Sequence, residues 1–204
     1  MKLAWPGVEW TKRFTRRFSI ASITVFALVA LFASVGQGRW YLRNATGSMP
    51  AGYYLMSPVR DIHRGDVVAA CLPPAPRALA IQRGYLDDAG PCHGQQSIVK
   101  LIGAVPGDTV TVQARSVCIN GALIAGSTRW AHDFRGRALP AIAPGVYVIP
   151  PGYYWLETPL SGSWDSRYYG PLPRRLLLAK LHYVGHVPPL VASGPCTHRS
   201  SGHT

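Results

Sequence analysis

The sequence predicts a mainly β domain preceded by one N-terminal transmembrane helix. Short apolar runs recur along the chain, and 21 glycines and 18 prolines supply turns between them. This pattern is typical of short strands joined by turns rather than of a helical bundle. An uncharged apolar run, residues 19–36, follows a basic N-terminus. At 204 residues the chain has room for one domain with a hydrophobic core in addition to this anchor.

Residues 19–36 are long enough to cross a bilayer. As a helix they would span about 27 Å, close to the roughly 30 Å of a hydrocarbon core. The basic residues precede this run, which by the positive-inside rule leaves the N-terminus in the cytoplasm. We therefore expect a cytoplasmic segment 1–18, an inner-membrane anchor 19–36 and a periplasmic domain 37–184. A cleaved signal peptide is the alternative, because small residues near Ser34, Gly36 and Gly38 resemble a weak cleavage site.

The formal net charge is +12 at pH 7. No helix-turn-helix, zinc-finger or RNP signature accompanies it, so no nucleic-acid partner is expected. A basic domain held close to a bilayer can contact anionic headgroups, which makes the membrane surface a candidate partner. A solvated basic surface explains the charge equally well.

From Tyr53 onward the elements follow the turn signals. Asn120-Gly121 is the strongest hairpin signal, and a proline cluster precedes a short predicted helix, Ala78–Leu86. Residues 185–204 are rich in Pro, Gly, Ser and His and are expected to form a flexible tail. The predicted strands are Tyr53–Ser57, Asp66–Leu72, Ile98–Val105, Thr109–Gln113, Val117–Ile124 (a hairpin), Val146–Ile149, Tyr153–Thr158 and Leu176–Val184.

The four cysteines do not form a metal site by their spacing. They occupy positions 71, 92, 118 and 196, without a CxxC pair, so neither a structural metal nor a cofactor is expected. Outside the cytoplasm disulfides become available, and Cys71 and Cys92 flank one excursion of the chain. We expect this pair to be linked, with buried free thiols as the alternative.

A serine at position 48 lies between Gly47 and Pro50. Glycine lets a backbone approach closely or take a positive φ, and proline fixes φ and removes a donor. Such a loop can present a hydroxyl on a stiff support. An ordinary turn before a strand is the alternative.

A nucleophilic serine needs a base, and lysine is the better candidate here. None of the seven histidines lies in a triad pattern, and the chain has no G-x-S-x-G elbow. A lysine acts as a base only when desolvation lowers its pKa. Lys2 and Lys12 precede the anchor, whereas Lys100 and Lys180 lie in apolar runs. For both of these, a lysine that protects an edge strand from aggregation is the alternative.

A third segment, Ser161–Pro171, combines hydroxyls, an acid and an arginine. One hypothesis is a wall of an active site, in which a hydroxyl orients the lysine amine and an Asp–Arg pair keeps the wall rigid. A Gly/Ser loop with a local ion pair is the alternative.

Three segments in this order resemble the type I signal peptidase family (S26). The resemblance extends from the anchor to about Val184, and Ser48-Met49-Pro50-Ala51-Gly52-Tyr53 is similar to the conjugal-transfer branch, the TraF-type peptidases. The segments are Gly47-Ser48-Met49-Pro50, Val99-Lys100-Leu101-Ile102-Gly103-Ala104-Val105-Pro106-Gly107-Asp108 and Ser163-Trp164-Asp165-Ser166-Arg167-Tyr168-Tyr169-Gly170.

The resemblance implies a role for each matched residue. Ser48 would be the nucleophile and Lys100 the general base. Ser163 would contact the lysine amine, and Asp165 and Arg167 would form the supporting pair.

It also implies an oxyanion hole and a fold. Thr46 falls where the family often has a hydroxyl, which with the Ser48 backbone N–H would bind the oxyanion. The implied fold is the β-rich one shared with LexA-type self-cleaving repressors. The chain departs from the family at Thr158–Ser161, where general signal peptidases usually have Gly-Asp-Asn-Arg. This departure favours the specialised branch.

The resulting expectation is a membrane-anchored serine endopeptidase with a Ser–Lys dyad. Its substrate would be a membrane-associated precursor, by resemblance a conjugative prepilin with a linear or cyclic product, and the conjugative transfer machinery would be a partner. One alternative is a general type I signal peptidase. The other is a non-enzymatic, membrane-tethered β scaffold of a conjugation or secretion apparatus.

Overall fold

The computed structural model of the protein describes residues 22–28, 41–183 and 185–196. The chain divides into two units, 1–40 and 41–204. In the first, residues 22–28 form helix α1. No helix within the described ranges has both the length and the apolar character needed to cross a bilayer. The predicted cytoplasmic segment 1–18 and most of the predicted anchor 19–36 lie outside the described residues.

The second unit is mainly β, as the turn-rich sequence predicts. Its described residues form two antiparallel sheets with two short helices and one turn of 3-10 helix, Arg174–Leu176. The helices are α2 (Pro74–Gln82) and α3 (Ser166–Tyr169). The strands are β1 (Tyr41–Asn44), β2 (Gly52–Ser57), β3 (Val67–Ala70), β4 (Ile98–Ala104), β5 (Thr109–Val112), β6 (Val117–Ile119), β7 (Ala122–Ile124), β8 (Gly145–Val148), β9 (Tyr153–Glu157), β10 (Leu172–Pro173), β11 (Leu177–Tyr183) and β12 (Ala192–Pro195).

The larger sheet carries both candidate lysines on interior strands. Its order is β1-β2-β11-β3-β4-β9-β10, and the smaller sheet runs β12-β7-β6-β5-β8. Lys100 and Lys180 both pair with Val68, one from β4 and the other from β11. The edge-strand interpretation of these lysines is therefore wrong. Each strand carrying a lysine is flanked by a partner on both sides.

Strand β4 links the hydrophobic clusters of the domain. All seven of its residues are buried, which explains its continuous apolar sequence. Ile98 and Ile102 pack in one cluster with Leu156, while Val99 and Leu101 pack in another with Met49. Lys100 thus lies within two residues of four buried apolar side chains. That environment is the physical cause of its desolvation.

The predicted strands are confirmed to within one or two residues at their ends, and the hairpin at Asn120-Gly121 is present, with φ of 51° and 79°. Two details of the element prediction are wrong. The helix begins at Pro74 rather than Ala78, because prolines in a first helical turn remove amide hydrogens that have no intrahelical partner. Strand β1 was not predicted, because its sequence carries a charge and follows the apolar run.

The prediction of a flexible tail over residues 185–204 is wrong for residues 185–196. Residues 185–196, here called the C-terminal strap, include β12, which pairs with β7. A disulfide joins Cys196 to Cys118, and the Leu190 side chain packs against the hydrophobic cluster that includes Trp155. Residues 197–204 lie outside the described residues. The predicted disulfide between Cys71 and Cys92 is confirmed.

Candidate active site

Ser48 lies on the loop that joins β1 to β2, and Asn44 holds this loop in shape. The buried Asn44 amide nitrogen donates to the Met49 carbonyl at 2.9 Å and to the Pro50 carbonyl at 3.1 Å. Its side-chain oxygen accepts from the Thr46 hydroxyl at 2.7 Å. One asparagine at the end of β1 therefore ties down both sides of Ser48.

Two tyrosine side chains form hydrogen bonds to the same loop. The Tyr54 hydroxyl donates to the Pro50 carbonyl at 2.8 Å, and the Tyr183 hydroxyl donates to the Ala51 carbonyl at 3.1 Å. Their rings stack with centroids 4.7 Å apart. Gly52 has a φ of +142°, and a Cβ there would approach the Tyr183 ring to 3.0 Å. Glycine is needed at position 52 for both reasons.

Gly47 does not have the role that its position suggested. Its φ is not positive, and a Cβ built on it would meet no atom within 4 Å. The loop is therefore open on the Gly47 side of Ser48, which leaves room for another chain to approach.

Lys100 reaches Ser48 from the centre of β4. Its Nζ donates a hydrogen bond to Ser48 Oγ at 2.9 Å, and the residue is 4% exposed. Burial lowers the pKa of Lys100 to about 8; the nearby Asp165 carboxylate opposes this shift and Arg167 adds to it. A lysine with this pKa is partly neutral near physiological pH, so it can accept the serine proton.

Lys180, the other candidate base, is engaged elsewhere. Its Nζ forms an ion pair with Asp66 Oδ2 at 2.8 Å. The structure thus brings Lys100, and not Lys180, to the serine.

Asp165 and Arg167 form a buried pair, as predicted. Both side chains are 0% exposed, and the guanidinium donates to the carboxylate through Nε at 2.8 Å and Nη2 at 2.6 Å. Arg167 also donates to the carbonyls of Gly126 and Leu160. Asp165 caps α3 by accepting from the Arg167 backbone N–H. The pair therefore joins α3 to two loops beside the lysine.

Ser163 lies at the site, but the hydrogen bond to the lysine amine that was expected is absent. Ser163 Oγ is buried and has no hydrogen-bond partner among the described residues. It lines the same cavity as Ser48 and Lys100. Ser163 and Lys100 therefore line one cavity without a hydrogen bond between them, and the Ser163 hydroxyl remains available to form one.

Thr46 stands close to Ser48. Thr46 Oγ1 lies 3.5 Å from Ser48 Oγ while it donates to Asn44. Rotation of this hydroxyl would free it to donate to another acceptor beside Ser48.

Two residues near the site, Asn44 and Glu157, were not predicted from the sequence. Glu157 is 0% exposed, its Oε2 accepts from the Trp155 indole at 2.8 Å, and its Oε1 lies 3.9 Å from Arg167 Nε. Burial, with Asp165 nearby, raises the pKa of Glu157. A lone acid at the end of the apolar run of β9 was the available signal. For Asn44 no local signal exists, because its partners are backbone carbonyls.

Two cavities meet at Ser48. One, of about 240 Å³, is here called the aromatic chamber because Tyr85, Trp130, Phe134, Trp164 and Tyr168 line it. The other, of about 530 Å³, is here called the proline chamber and includes Pro50, Pro159 and Pro188. Thr46, Gly47 and Ser48 line both. A polypeptide lying across Ser48 would therefore have room on either side of the serine.

The sequence comparison decides the family. The model of the signal peptidase family, peptidase S26, matches residues 10–185. The chain belongs to the S26 signal peptidase family. This S26 peptidase is similar to the conjugal transfer protein TraF of Agrobacterium fabrum, with 37% identity over 80% of this chain and 93% of the relative.

Two other relatives and one solved structure are also similar to this S26 peptidase. The probable conjugal transfer protein TraF of Sinorhizobium fredii is 35% identical over 82% of this chain and 90% of its own. The plasmid transfer protein TraF of Escherichia coli is 31% identical over 69% and 80%. A signal peptidase I structure from Enterococcus faecalis is 18% identical over 60% of this chain and 98% of its own, with a TM-score of 0.34.

Proposed function

We propose that this S26 peptidase is a membrane-anchored serine endopeptidase that processes a membrane-associated precursor, most specifically a conjugative prepilin. The observation that carries the proposal is the 2.9 Å hydrogen bond from Lys100 Nζ to Ser48 Oγ, made by a buried lysine. A separation of more than about 6 Å between the Ser48 and Lys100 side chains, beyond direct hydrogen-bond reach, would favour a non-enzymatic scaffold instead.

The proposed reaction begins with neutral Lys100. Its amine takes the Ser48 proton as the serine oxygen attacks the scissile carbonyl, and the C–O bond forms. Collapse of the tetrahedral intermediate breaks the peptide C–N bond, and the Lys100 ammonium gives its proton to the leaving amine. Water, deprotonated by Lys100, then hydrolyses the ester and releases Ser48. No metal or cofactor enters this scheme.

The surrounding residues have supporting roles in the proposal. The Thr46 hydroxyl and the Ser48 backbone N–H bind the oxyanion, an interaction worth several kcal/mol in other enzymes. The Asp165–Arg167 pair fixes the wall beside Lys100. Ser163 provides a hydroxyl that can accept from the lysine ammonium after proton transfer, and its lack of a partner in the described residues supports this role.

The proposed substrate follows from the relatives and from the predicted anchor. Relatives named conjugal or plasmid transfer proteins favour a precursor from a conjugation system and contact with the transfer machinery. With residues 19–36 in the inner membrane and the N-terminus in the cytoplasm, the catalytic domain would be periplasmic. At most about 40 Å of extended chain separates Gly36 from Ser48, so cleavage would occur near the bilayer surface.

Co-expression with candidate prepilins tests the function. Wild type should convert the precursor to a shorter product, whereas Ser48→Ala and Lys100→Ala should not; Lys180→Ala is the matched lysine control and should process normally. Intact mass separates a linear product from a cyclic one, which lacks one further water. Processing by either dyad variant would refute the dyad, and equal processing of an ordinary secretory preprotein would favour a general signal peptidase.

A further inference from the structure

We infer that Asn44 is a positioning residue of the reaction: it aims the Thr46 hydroxyl and thereby sets the direction of the hydrogen bonds made by Ser48. This inference rests on the proposed function, because it gives Asn44 a part in the reaction of the serine–lysine dyad. Four side chains form a row of successive polar contacts, here called the hydrogen-bond chain: Asn44, Thr46, Ser48 and Lys100.

The orientation of the Asn44 amide is fixed by its partners. Its Nδ2 donates to three backbone carbonyls, those of Thr46 at 3.2 Å, Met49 at 2.9 Å and Pro50 at 3.1 Å. A carbonyl oxygen only accepts, so the amide nitrogen must face these groups, which leaves the amide oxygen for the Thr46 hydroxyl. That oxygen accepts from the Thr46 backbone N–H at 3.3 Å and from the hydroxyl at 2.7 Å. Because an amide oxygen cannot donate, Thr46 is the donor in the shorter bond.

The bond to Asn44 decides the direction of the next contact. A threonine hydroxyl has one hydrogen, and here that hydrogen points at Asn44. In the 3.5 Å contact between Thr46 Oγ1 and Ser48 Oγ, the serine is therefore the donor and the threonine the acceptor. Lys100 Nζ in turn donates to Ser48 Oγ at 2.9 Å. Each bridging hydrogen of the resting chain thus points away from the lysine and towards the asparagine.

The proposed reaction reverses this direction at both hydroxyls. The serine proton must pass to Lys100, and the Thr46 hydroxyl must donate to the oxyanion. A substrate carbonyl oxygen that draws the Thr46 hydroxyl from Asn44 also takes away the acceptor that faced Ser48. The serine hydroxyl then turns to the neutral lysine amine. Asn44 therefore couples oxyanion formation to proton transfer and keeps the serine proton away from the lysine until a carbonyl arrives.

The position of Asn44 in the hairpin suits this role. It ends β1, pairs with Gly52 on β2 and is 5% exposed, so the loop that carries Ser48 closes over its side chain. An asparagine amide offers donors and an acceptor from one short planar group, whereas a leucine of similar shape offers neither. The Pro50 carbonyl has a second donor, the Tyr54 hydroxyl at 2.8 Å, so loss of Asn44 leaves the loop partly tethered.

A double-mutant cycle on the full-length protein in detergent tests the inference. The measured quantity is the rate at which p-nitrophenyl acetate acetylates Ser48, followed by intact mass, with Ser48→Ala as the blank. Asn44→Ala and Thr46→Val should each slow acetylation about tenfold or more. In the Thr46→Val protein, Asn44→Ala should slow it further by less than about threefold, because the hydroxyl that Asn44 aims is gone. No slowing by Asn44→Ala, or equal slowing in both backgrounds, would overturn the inference.

Tyr54→Phe is the matched control for the loop tether. It removes the hydroxyl that donates to the Pro50 carbonyl and leaves the Thr46 contacts in place. Its effect on acetylation should be the same with and without the Thr46 hydroxyl. If Tyr54→Phe were coupled to Thr46→Val as strongly as Asn44→Ala is, any loosening of the loop would suffice, and the inference would be wrong. Asn44→Leu, which keeps the side-chain shape, replaces Asn44→Ala if that protein does not fold.

The pH profile of Thr46→Val gives a second test, which needs no change to the asparagine. Without the acceptor at Thr46, the Ser48 hydroxyl is free to donate to the neutral Lys100 amine, which favours that form and lowers the pKa of Lys100. The inflection of the acetylation rate should therefore move down by about 0.5 pH unit relative to wild type. Asp165 and Arg167, the charged groups that act on Lys100, are unchanged in this variant. An inflection that stays in place or moves up would overturn the direction assigned to the hydrogen-bond chain.

The acetylation assay separates this inference from the proposed function. Coupling between Asn44 and Thr46 in a protein that processes no prepilin would refute the proposed substrate and leave the inference standing. A wild type that is not acetylated at Ser48 would refute the dyad, and the inference with it.

Discussion

Lys100 and Ser48 are 52 positions apart in sequence, yet the lysine Nζ donates to the serine Oγ at 2.9 Å. The serine belongs to a loop whose carbonyls are held by Asn44, and the lysine to a strand whose residues are all buried. A tethered loop and a desolvated amine are the two requirements of a Ser–Lys dyad.

The buried Lys100 ammonium destabilises the fold at neutral pH. Burial lowers its pKa to about 8 in the folded chain, from the 10.5 of a lysine in water. Below about pH 8 Lys100 is protonated in both the folded and the unfolded chain, and burying its charge costs roughly 3 kcal/mol of folding free energy. Between about pH 8 and pH 10.5 this cost disappears, because the unfolded chain binds more protons than the folded chain. Lys100→Met should therefore raise the free energy of unfolding by about 3 kcal/mol at pH 7 and by little near pH 10.5.

Urea denaturation at a series of pH values measures this difference. Lys180→Met is the matched control, because that lysine forms a more exposed ion pair, and its effect should stay within about 1 kcal/mol. A Lys100→Met protein that is less stable than wild type at pH 7 would contradict the assigned desolvation.

The effects of changing Asp165 and Arg167 on the free energy of unfolding should be strongly coupled. Arg167→Met leaves a buried carboxylate without its cation, so we expect a loss of about 3–5 kcal/mol in the free energy of unfolding. Asp165→Leu with Arg167→Met should cost less than the two single changes added together, since neither charge is then left alone. Thermal or urea unfolding of the four proteins gives the coupling energy. Simple additivity would show that the pair is not a unit.

The Cys118–Cys196 disulfide should stabilise the protein and hold the C-terminal strap in place. The Cys118–Cys196 bond closes 78 residues and the Cys71–Cys92 bond closes 21. Replacing both cysteines of the longer loop by serine should lower the free energy of unfolding by about 2–4 kcal/mol, roughly 1 kcal/mol more than the shorter loop. Amide hydrogen exchange should also become faster in residues 192–194. Unchanged exchange there would mean that strand pairing alone holds the strap.

Thr46→Val removes a hydroxyl beside Ser48, the proposed nucleophile. If that hydroxyl donates to the oxyanion, kcat should fall about a hundredfold while KM changes little, because the interaction exists only in the transition state. Thr46→Ser keeps the donor and should retain most activity. A rise in KM at constant kcat, or equal loss in both variants, would indicate a structural role for Thr46.

The sequence was informative wherever local chemistry decides structure. Apolar runs between turn signals predicted the strands, and Asn120-Gly121 predicted its hairpin because both residues must take positive φ. Ordered motifs singled out Ser48 and Lys100. Each of these signals lies within a few consecutive residues.

Long-range partners decided the features that the sequence did not predict. The sequence of β12, Ala-Ser-Gly-Pro, has no strand preference, and its pairing with β7 accompanies a disulfide to Cys118. Asn44 acts on carbonyls that any residue carries. Trp155 lies two positions from Glu157 in the sequence, whereas Arg167 comes close to Glu157 only because of the fold. The five aromatic residues of the aromatic chamber likewise come from three separate segments of the chain.

The pH dependence of prepilin processing tests the dyad most directly. Initial rates at limiting substrate should rise about tenfold per pH unit below about pH 8 and level off above it, because only the neutral Lys100 amine accepts the Ser48 proton. The same inflection should be present in Lys180→Met. A rate that is flat across this range, or an inflection near pH 6.5 as a histidine base would give, would contradict the assignment of Lys100 as the base.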